Sequence, residues 1–379
     1  MSYKNPGVIK SFHSCWAEVN LSAIQHNFHA LKNRAGQNVK ILSVVKADAY
    51  GHGILETALL LNNEGTDFFG VAGIDEGMML RQANIKRPIL VFENVHTKYV
   101  QEIVDYQLTA TICTLELAAA LNRYGESTNQ KIPVHIKVDT GMGRMGVWHK
   151  EALDFVAAMN QFRQLVIEGI YTHFPSADTD RKFTQRQIKD FLKLVAQIKK
   201  IGVVIPYIHA ANSAGLIGFK VKEFNLVRPG LMLYGMYPHE SFKSKIKLTP
   251  ALCVKSRIMF LKQIEKGRTI SYGRTFTAKK PMTVATVPIG YGDGYFRSFS
   301  SNADVLVEGV RCSVIGRVTM DQIVIDVSKV KLPKVGMDVV LLGSQNKECI
   351  SADELAKNIG TINYEITCSL GSHVPRIYY

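Results

Sequence analysis

Eight short apolar runs separated by helical patterns, then a stretch of short alternating strands rich in glycine, predict an α/β protein in two parts. The first part reads as an N-terminal (β/α)8 barrel of the TIM type, the second as a C-terminal mainly β domain. The length of 379 residues agrees, because it exceeds what one hydrophobic core usually organises. The expected boundaries are 14–240 for the barrel and 241–379 for the β domain.

Taken in order, Trp16 to Asn20 alternates like a short strand and Leu21 to Leu31 has helical spacing. Barrel strands are predicted at Ile41–Lys46, Phe68–Ala72, Pro88–Phe92, Thr109–Cys113, Val134–Asp139, Val166–His173, Tyr207–Ala211 and Leu226–Tyr234. Helices are predicted between most of them, over 53–63, 75–84, 96–106, 115–124, 150–161, 180–201 and 213–219. A doubly wound open sheet is the alternative, but it wants a glycine-rich dinucleotide loop after the first strand, and GxGxxG is missing there. Glu240 to Thr249 is polar and basic and reads as a linker. Beyond it, strands are predicted at Leu252–Leu261, Met282–Pro288, Asp304–Val307, Arg311–Arg317, Gln322–Val327 and Asp338–Leu342, and no helical period returns until Ala352–Ile359. The strand near Trp16 could join this second domain and make it discontinuous. No tandem repeat or low-complexity segment interrupts the pattern.

The composition, 46% apolar and 21% charged, is that of an ordinary globular protein, and no apolar run is long enough to cross a bilayer. Met1 to Ser14 has no apolar signal-peptide region. The six cysteines show no CxxC pair and no zinc spacing, so they read as reduced thiols of a cytoplasmic protein, with neither disulfide nor metal implied. The formal charge of +14 is densest from Lys243 to Lys280, where eleven basic residues face only Glu265. A basic face can bind nucleic acid, but no helix-turn-helix, zinc finger or aromatic base-reading stretch accompanies it. A solvated lysine-rich face is the better account.

The chemistry gathers at strand ends. An apolar run from Ile41 to Val45 delivers Lys46, and then Ala47-Asp48-Ala49-Tyr50-Gly51-His52-Gly53 leads into a helix. That order holds an amine at the mouth of a sheet, where in a dry pocket it can lose its proton and form a Schiff base with an aldehyde. On VVK alone, a solvated lysine capping a strand would be the better reading. Asp139 and Arg144 follow the fifth strand, His173 ends the sixth, His209, Asn212 and Ser213 close the seventh, and Arg228-Pro229-Gly230 sits in the eighth. Barrel enzymes build their sites at these ends, with phosphate held near strands seven and eight. Ala211 to Gly215 opens a short helix whose start suits phosphate, with Ser213 also read as its N-cap.

The string Ser43 to Gly53 resembles the signature of alanine racemases, in which this lysine carries pyridoxal 5'-phosphate (PLP). The resemblance runs from about Trp16 to Arg376 and implies a PLP-dependent amino-acid racemase that interconverts L- and D-alanine and supplies D-alanine for peptidoglycan. By that resemblance Arg228 faces the pyridine nitrogen of PLP and His209 orients it. Asn212, Ser213, Gly230, Leu231, Tyr50 and Tyr364 serve the phosphate, and His173 lies beside the cofactor. An always-charged arginine leaves the ring nitrogen unprotonated and the ring a poorer electron sink, which suits racemisation.

Racemisation also needs bases on opposite faces of the α-carbon. Lys46 is one, and Ile270 to Phe276 resembles the family segment whose tyrosine, here Tyr272, is the other. The phenol's pKa must fall by roughly 2, about 2.7 kcal/mol of anion stabilisation; His173 could polarise it. The resemblance places Tyr272 and Met320 in the site of the other subunit of a homodimer. Ile289 to Gly294 and Gly316 to Asp321 match further segments, with Tyr291, Met320 and Arg144 on the substrate, and Lys137 and Asp321 in support. Lys137 aligns with a lysine often carbamylated in the family. Thr319 and His373 depart from the family's usual cysteine and arginine, which puts fine details of the substrate site in doubt. Three other readings stand beside this one: a PLP barrel decarboxylase, which shares Lys46 but does not need Tyr272; a non-catalytic PLP carrier, typically a single barrel; and a nucleic-acid binder, resting on charge alone.

Overall fold

The computed structural model describes residues 14–379. The reading of Met1 to Ser14 as lacking a signal region therefore falls, Ser14 apart, outside the described residues. The chain divides into two compact units: Ser22–Ala49 with Ile54–Thr249, and the described part of Met1–Leu21 with Tyr50–Gly53 and Pro250–Tyr379.

The larger unit is a nearly closed barrel of eight parallel strands: Lys40–Val44, Phe68–Val71, Ile89–Val91, Thr109–Ile112, Ile132–Asp139, Leu165–Tyr171, Tyr207–His209 and Leu226–Val227. The eighth pairs with the first through Leu226↔Lys40 and Val227↔Ile41, and a parallel bridge Asn212↔Arg228 joins the seventh to the eighth. The second, third and fourth strands are buried at every position; the second and third read as continuous apolar runs, and the fourth alternates buried threonines with Ala110 and Ile112. Helices return the chain between most strands, with side-chain caps where the sequence offers them. Thr114 accepts from Leu117 N at 3.3 Å, and Asp180 from Phe183 N at 2.9 Å. The helix Leu115–Thr128 ends on Asn129 in the left-handed region, φ 51°.

The expected eighth strand, Leu226–Tyr234, is shorter than its sequence pattern. It stops at Val227, and Leu231–Tyr234 is a buried 3-10 turn. Pro229 has no N–H to continue a ladder, although its carbonyl still accepts from Val44 N at 3.0 Å.

The smaller unit holds a mixed sheet whose path runs Val310–Ser313, Asp304–Val307, Asp338–Gln345, Leu252–Arg257, Cys15–Val19 and Arg376–Tyr378. Cys15–Val19 pairs antiparallel with Leu252–Arg257. A three-stranded sheet of Phe260–Ile264, Met282–Val287 and Ile323–Asp326 lies in the same unit. The sequence predicts one strand over Leu252–Leu261; the chain instead breaks at Ile258 and Met259, and its halves join different sheets.

Helix Ala352–Ile359 is as expected, but a second helix, Asn363–His373, follows it. Thr367, Cys368, Ser369 and Gly371 are weak helix formers, and they gave that helix no signature. Gly51 and Gly371 approach so closely that a β-carbon on either would run into the other segment's backbone, Thr367 O for one and Gly51 O for the other.

Two of the eleven basic residues find acids elsewhere in the smaller unit. Lys255 pairs with Glu18 at 2.7 Å and Arg257 with Asp338 at 3.1 Å. Those two partners are distant in sequence, and the rest of the run remains strongly basic.

Candidate active site

The strand Lys40–Val44 and the following Val45 lead directly to Lys46, which is half-buried. The backbone then turns left-handed for four residues: φ is 52° at Ala47, 53° at Asp48, 54° at Ala49 and 56° at Tyr50. None of the four is glycine, and each such residue costs on the order of 1 kcal/mol or more. Charge-assisted hydrogen bonds, worth about 1.5–3 kcal/mol each, offset part of this. Asp48 Oδ1 accepts from Ile54 N at 2.8 Å, and Glu76 Oε1 accepts from Ala47 N at 2.7 Å. The chain after the lysine thus turns through alanines and an aspartate held by carboxylates before it reaches Gly51 at φ 85° and Gly53 at φ 89°.

On the neighbouring eighth strand end, Arg228 is almost fully buried. Its Nη1 donates to His209 Nδ1 at 2.8 Å; its Nη2 donates to Thr172 O at 2.8 Å, Ala210 O at 3.1 Å and His173 Nδ1 at 3.2 Å. All of these acceptors are neutral, and among the described residues no carboxylate forms an ion pair with this guanidinium. Burial brings its pKa down to about 10, so it stays charged at neutral pH. The Tyr171 ring lies 5.1 Å from the guanidinium carbon and stacks on His209 at 4.8 Å.

Donor geometry fixes the tautomers. Because Arg228 donates to Nδ1 of His209, the proton of that imidazole sits on Nε2 and is donated to His135 Nδ1 at 2.9 Å. Burial first, then the Arg228 charge, holds His209 and His173 well below the usual histidine range and His135 down to about 3. All three are neutral. His173, with Nδ1 occupied by Arg228, keeps its proton on Nε2.

His135 was not read from the sequence as part of this network. The available signal was its spacing: His135 and Lys137 are two apart in one strand, so they share a face. The ring fits because Gly169 on the adjacent strand has no side chain; a β-carbon there would lie 2.5 Å from His135 Nδ1. Gly169→Ala is expected to displace His135 and lower stability by about 1–3 kcal/mol, read from urea denaturation.

Lys137 is buried, donates to Val138 O at 3.0 Å and lies 5.3 Å from the centre of the Tyr171 ring. Burial and then Arg228 bring its pKa down to about 7, with Asp139 opposing. Asp139 itself staples the following loop. Its carboxylate accepts from Gly141 N and Met142 N at 2.8 Å and from Gly143 N at 2.9 Å, which sets where Arg144 begins.

Asn212, not Ser213, caps the helix Ser213–Gly218: its Oδ1 accepts from Gly215 N at 2.9 Å. This corrects the expectation that Ser213 caps. The Ser213 hydroxyl instead accepts from Gly230 N at 3.0 Å, which brings the starts of two helical turns together. Leu231 opens the second turn, where amides have no intrahelical acceptor.

The remaining predicted residues lie in the smaller unit. Tyr50 and Tyr364 have ring centroids 5.9 Å apart; Tyr50 is buried, and burial followed by the proximity of Tyr364 raises its hydroxyl pKa. Tyr272 stands in a turn with Ser271 at φ 62° and Gly273 at φ 69°, where Ser271 Oγ donates to Arg317 O at 2.6 Å. Met320 and the exposed Asp321 share a turn whose carbonyls accept from Tyr291 N at 3.0 Å and Gly292 N at 2.8 Å. Tyr272 is 73% exposed in the single chain, Met320 61% and Tyr291 44%, values high enough to ask what covers them. Thr319 Oγ1 donates to Gln322 O at 2.9 Å, and exposed His373 is hydrogen-bonded to Ser369 O at 2.7 Å, so both departures are accommodated locally.

The family model for the alanine racemase N-terminal domain matches residues 19–238, and that for the C-terminal domain matches 251–378. The chain belongs to the alanine racemase family. An alanine racemase of Halothermothrix orenii is 44% identical over 96% of each chain, and one of Methanococcus maripaludis is 38% identical over 97% of this chain and 99% of its own. The solved alanine racemase of Clostridium difficile superposes with a TM-score of 0.93 at 37% identity, covering 98% of this chain and 97% of that one. The alanine racemase of Bartonella henselae, solved with covalently bound pyridoxal phosphate, has a TM-score of 0.88 at 27% identity, covering 97% of this chain and all of that one, 100%.

Proposed function

We propose that this protein is a PLP-dependent alanine racemase, with Lys46 holding the cofactor and Lys46 and Tyr272 as the two bases. The observation that carries the reading is Arg228: a buried guanidinium, without a carboxylate partner among the described residues, on the strand end next to that of Lys46. A buried cation of this kind suits a neutral heterocyclic nitrogen as acceptor, because a carboxylate in its place would favour a protonated ring. Ser213, whose hydroxyl accepts from Gly230 N and keeps its own proton to donate, and the amide of Leu231 form a donor set that suits a phosphate, which the Gly230 amide joins by exchanging the Ser213 oxygen for a phosphate oxygen. The residues present therefore fit PLP.

When bound, PLP withdraws electrons from the α-carbon of an amino acid and makes its α-proton acidic. Lys46, once displaced by substrate, takes or returns that proton on one face. Tyr272 of a second copy acts on the other face, and the exposure of Tyr272, Met320 and Tyr291 in one chain supports a homodimer that covers them. His173, neutral and protonated on Nε2, is suited to donate to the phenolate of Tyr272. His209 fixes the orientation of Arg228, and Tyr50 and Tyr364 supply hydroxyls to the phosphate. Arg144 pairs with the substrate carboxylate, helped by the Met320 amide, with Asp321 supporting that turn. Of these residues, Lys46, Arg144, His173, His209 and Arg228 belong to the larger unit, and Tyr50, Tyr272, Tyr291, Met320 and Tyr364 to the smaller one, rather than dividing at the expected 240/241 boundary.

No helix among the described residues is long and apolar enough to cross a membrane. We place the enzyme in the cytoplasm, free of nucleic acid and membrane, supplying D-alanine to peptidoglycan. The test is chiral analysis of alanine after incubation of L-alanine with PLP-loaded protein. A mixture approaching equal enantiomers supports the reading, and unchanged L-alanine contradicts it.

Lys137 is proposed to carry a carbamate that orients Arg144. The neutral amine attacks CO2, forms a C–N bond and releases one proton. With a pKa of about 7, roughly half of Lys137 is neutral at pH 7, against a negligible fraction of an ordinary lysine. A carbamate signal from 13C-bicarbonate is expected in NMR at pH 8 and should fade as pH falls through about 7, where the amine takes up a proton. Lys137→Ala should lack it; the same signal in that variant would contradict the assignment.

A further inference from the structure

We propose that Glu76 is a positioning residue for Lys46, holding the peptide that leaves the lysine in its left-handed turn. The proposal rests on the reading that Lys46 carries PLP. The first and second barrel strands pair as far as Val44↔Gly70, and Val45 N donates to Gly70 O at 2.9 Å. There the ladder ends, and the chain from Lys46 turns through φ of 52°, 53° and 54° at Ala47, Asp48 and Ala49.

The Glu76 carboxylate takes over from the ladder. One oxygen accepts from Ala47 N at 2.7 Å, the other from Ala72 N at 2.7 Å, just past the end of the second strand. The Ala47 N–H belongs to the peptide plane that contains the Lys46 carbonyl, so fixing it fixes the exit direction of the lysine backbone. Alanine has no intrinsic preference for the left-handed region; Val45 O, accepting from Ala49 N at 2.8 Å, and Asp48, accepting from Ile54 N, close the later part of the turn, and Glu76 is the acceptor for its first amide. Glu76 stands in the first turn of the helix Ile74–Gln82, whose N-cap Gly73 offers no side-chain bond. Its carboxylate oxygens are nevertheless both engaged with amides outside that helix.

A general helix-start role would give the same loss of stability, so the test separates the two. Glu76→Gln keeps one acceptor oxygen and puts an amide NH2, which cannot accept, against the other N–H. The expected result is PLP affinity weakened about tenfold, the equivalent of losing one charge-assisted bond. Adding Ala47→Gly, which tolerates positive φ unaided, should restore most of that affinity. Asn129→Gly relieves a left-handed residue at a remote helix end, φ 51°, and should stabilise without restoring PLP binding. Rescue by Asn129→Gly equal to that by Ala47→Gly, or a Glu76→Gln protein that binds PLP as tightly as the unsubstituted one, overturns the proposal. Should Glu76→Gln not fold, hydrogen exchange in the unsubstituted holoenzyme decides: a protected Ala47 amide supports it, and exchange at the rate of an unstructured peptide overturns it. An unsubstituted protein that takes up no PLP removes the reading of Lys46 itself, and is distinguishable from all of these.

Discussion

Lys46→Ala should leave the purified protein without the visible absorbance of covalently held PLP and reduce kcat/KM for alanine by at least about 10^4-fold. Both losses have one origin. The amine that anchors the cofactor is also the base on one face, so a single substitution removes covalent attachment and proton transfer together. Lys46 lies in a carboxylate-held turn at the end of a fully buried strand pair, and alanine can occupy the same backbone. The variant should therefore fold, and added methylamine should recover part of the proton transfer. Activity retained without methylamine would mean that another group does the chemistry.

Tyr272→Ala is the second large effect, with a different signature. The cofactor absorbance should survive, because Lys46 and Arg228 are untouched. Racemisation should fall about 10^2- to 10^4-fold, the range of a positioned general acid or base. The loss should be one-sided: in D2O the variant should still exchange the α-proton of D-alanine through Lys46, while abstraction from L-alanine fails. Each chain should keep its fold, since the side chain is 73% exposed in the single chain. Exchange lost equally from both enantiomers would contradict the assignment of opposite faces.

What was legible in the sequence followed local periodicity. The short runs at Phe68–Val71, Ile89–Val91 and Thr109–Ile112 announced buried parallel strands, and Arg228 and His209 were visible at strand ends. What stayed hidden depended on partners distant in sequence. Glu76 sits 29 residues from the amide it holds, and His135 meets His209 across 74. Gly169 matters only because His135 is opposite. The capping of the helix Ser213–Gly218 was misread for a different reason: Asn212 and Ser213 are both good caps, and only the φ/ψ of Asn212 decides between them. Helix Asn363–His373, which carries Tyr364, gave no amphipathic signal and owes its form to its surroundings within the smaller unit, such as the close approach of Gly371 to Gly51.

One chemical trap tests the account most directly. Borohydride reduction of the PLP-loaded protein, followed by proteolysis and mass spectrometry, should find the pyridoxyl group on the peptide containing Lys46 and on no other lysine. A pyridoxyl group on a different lysine, or none at all, would contradict it.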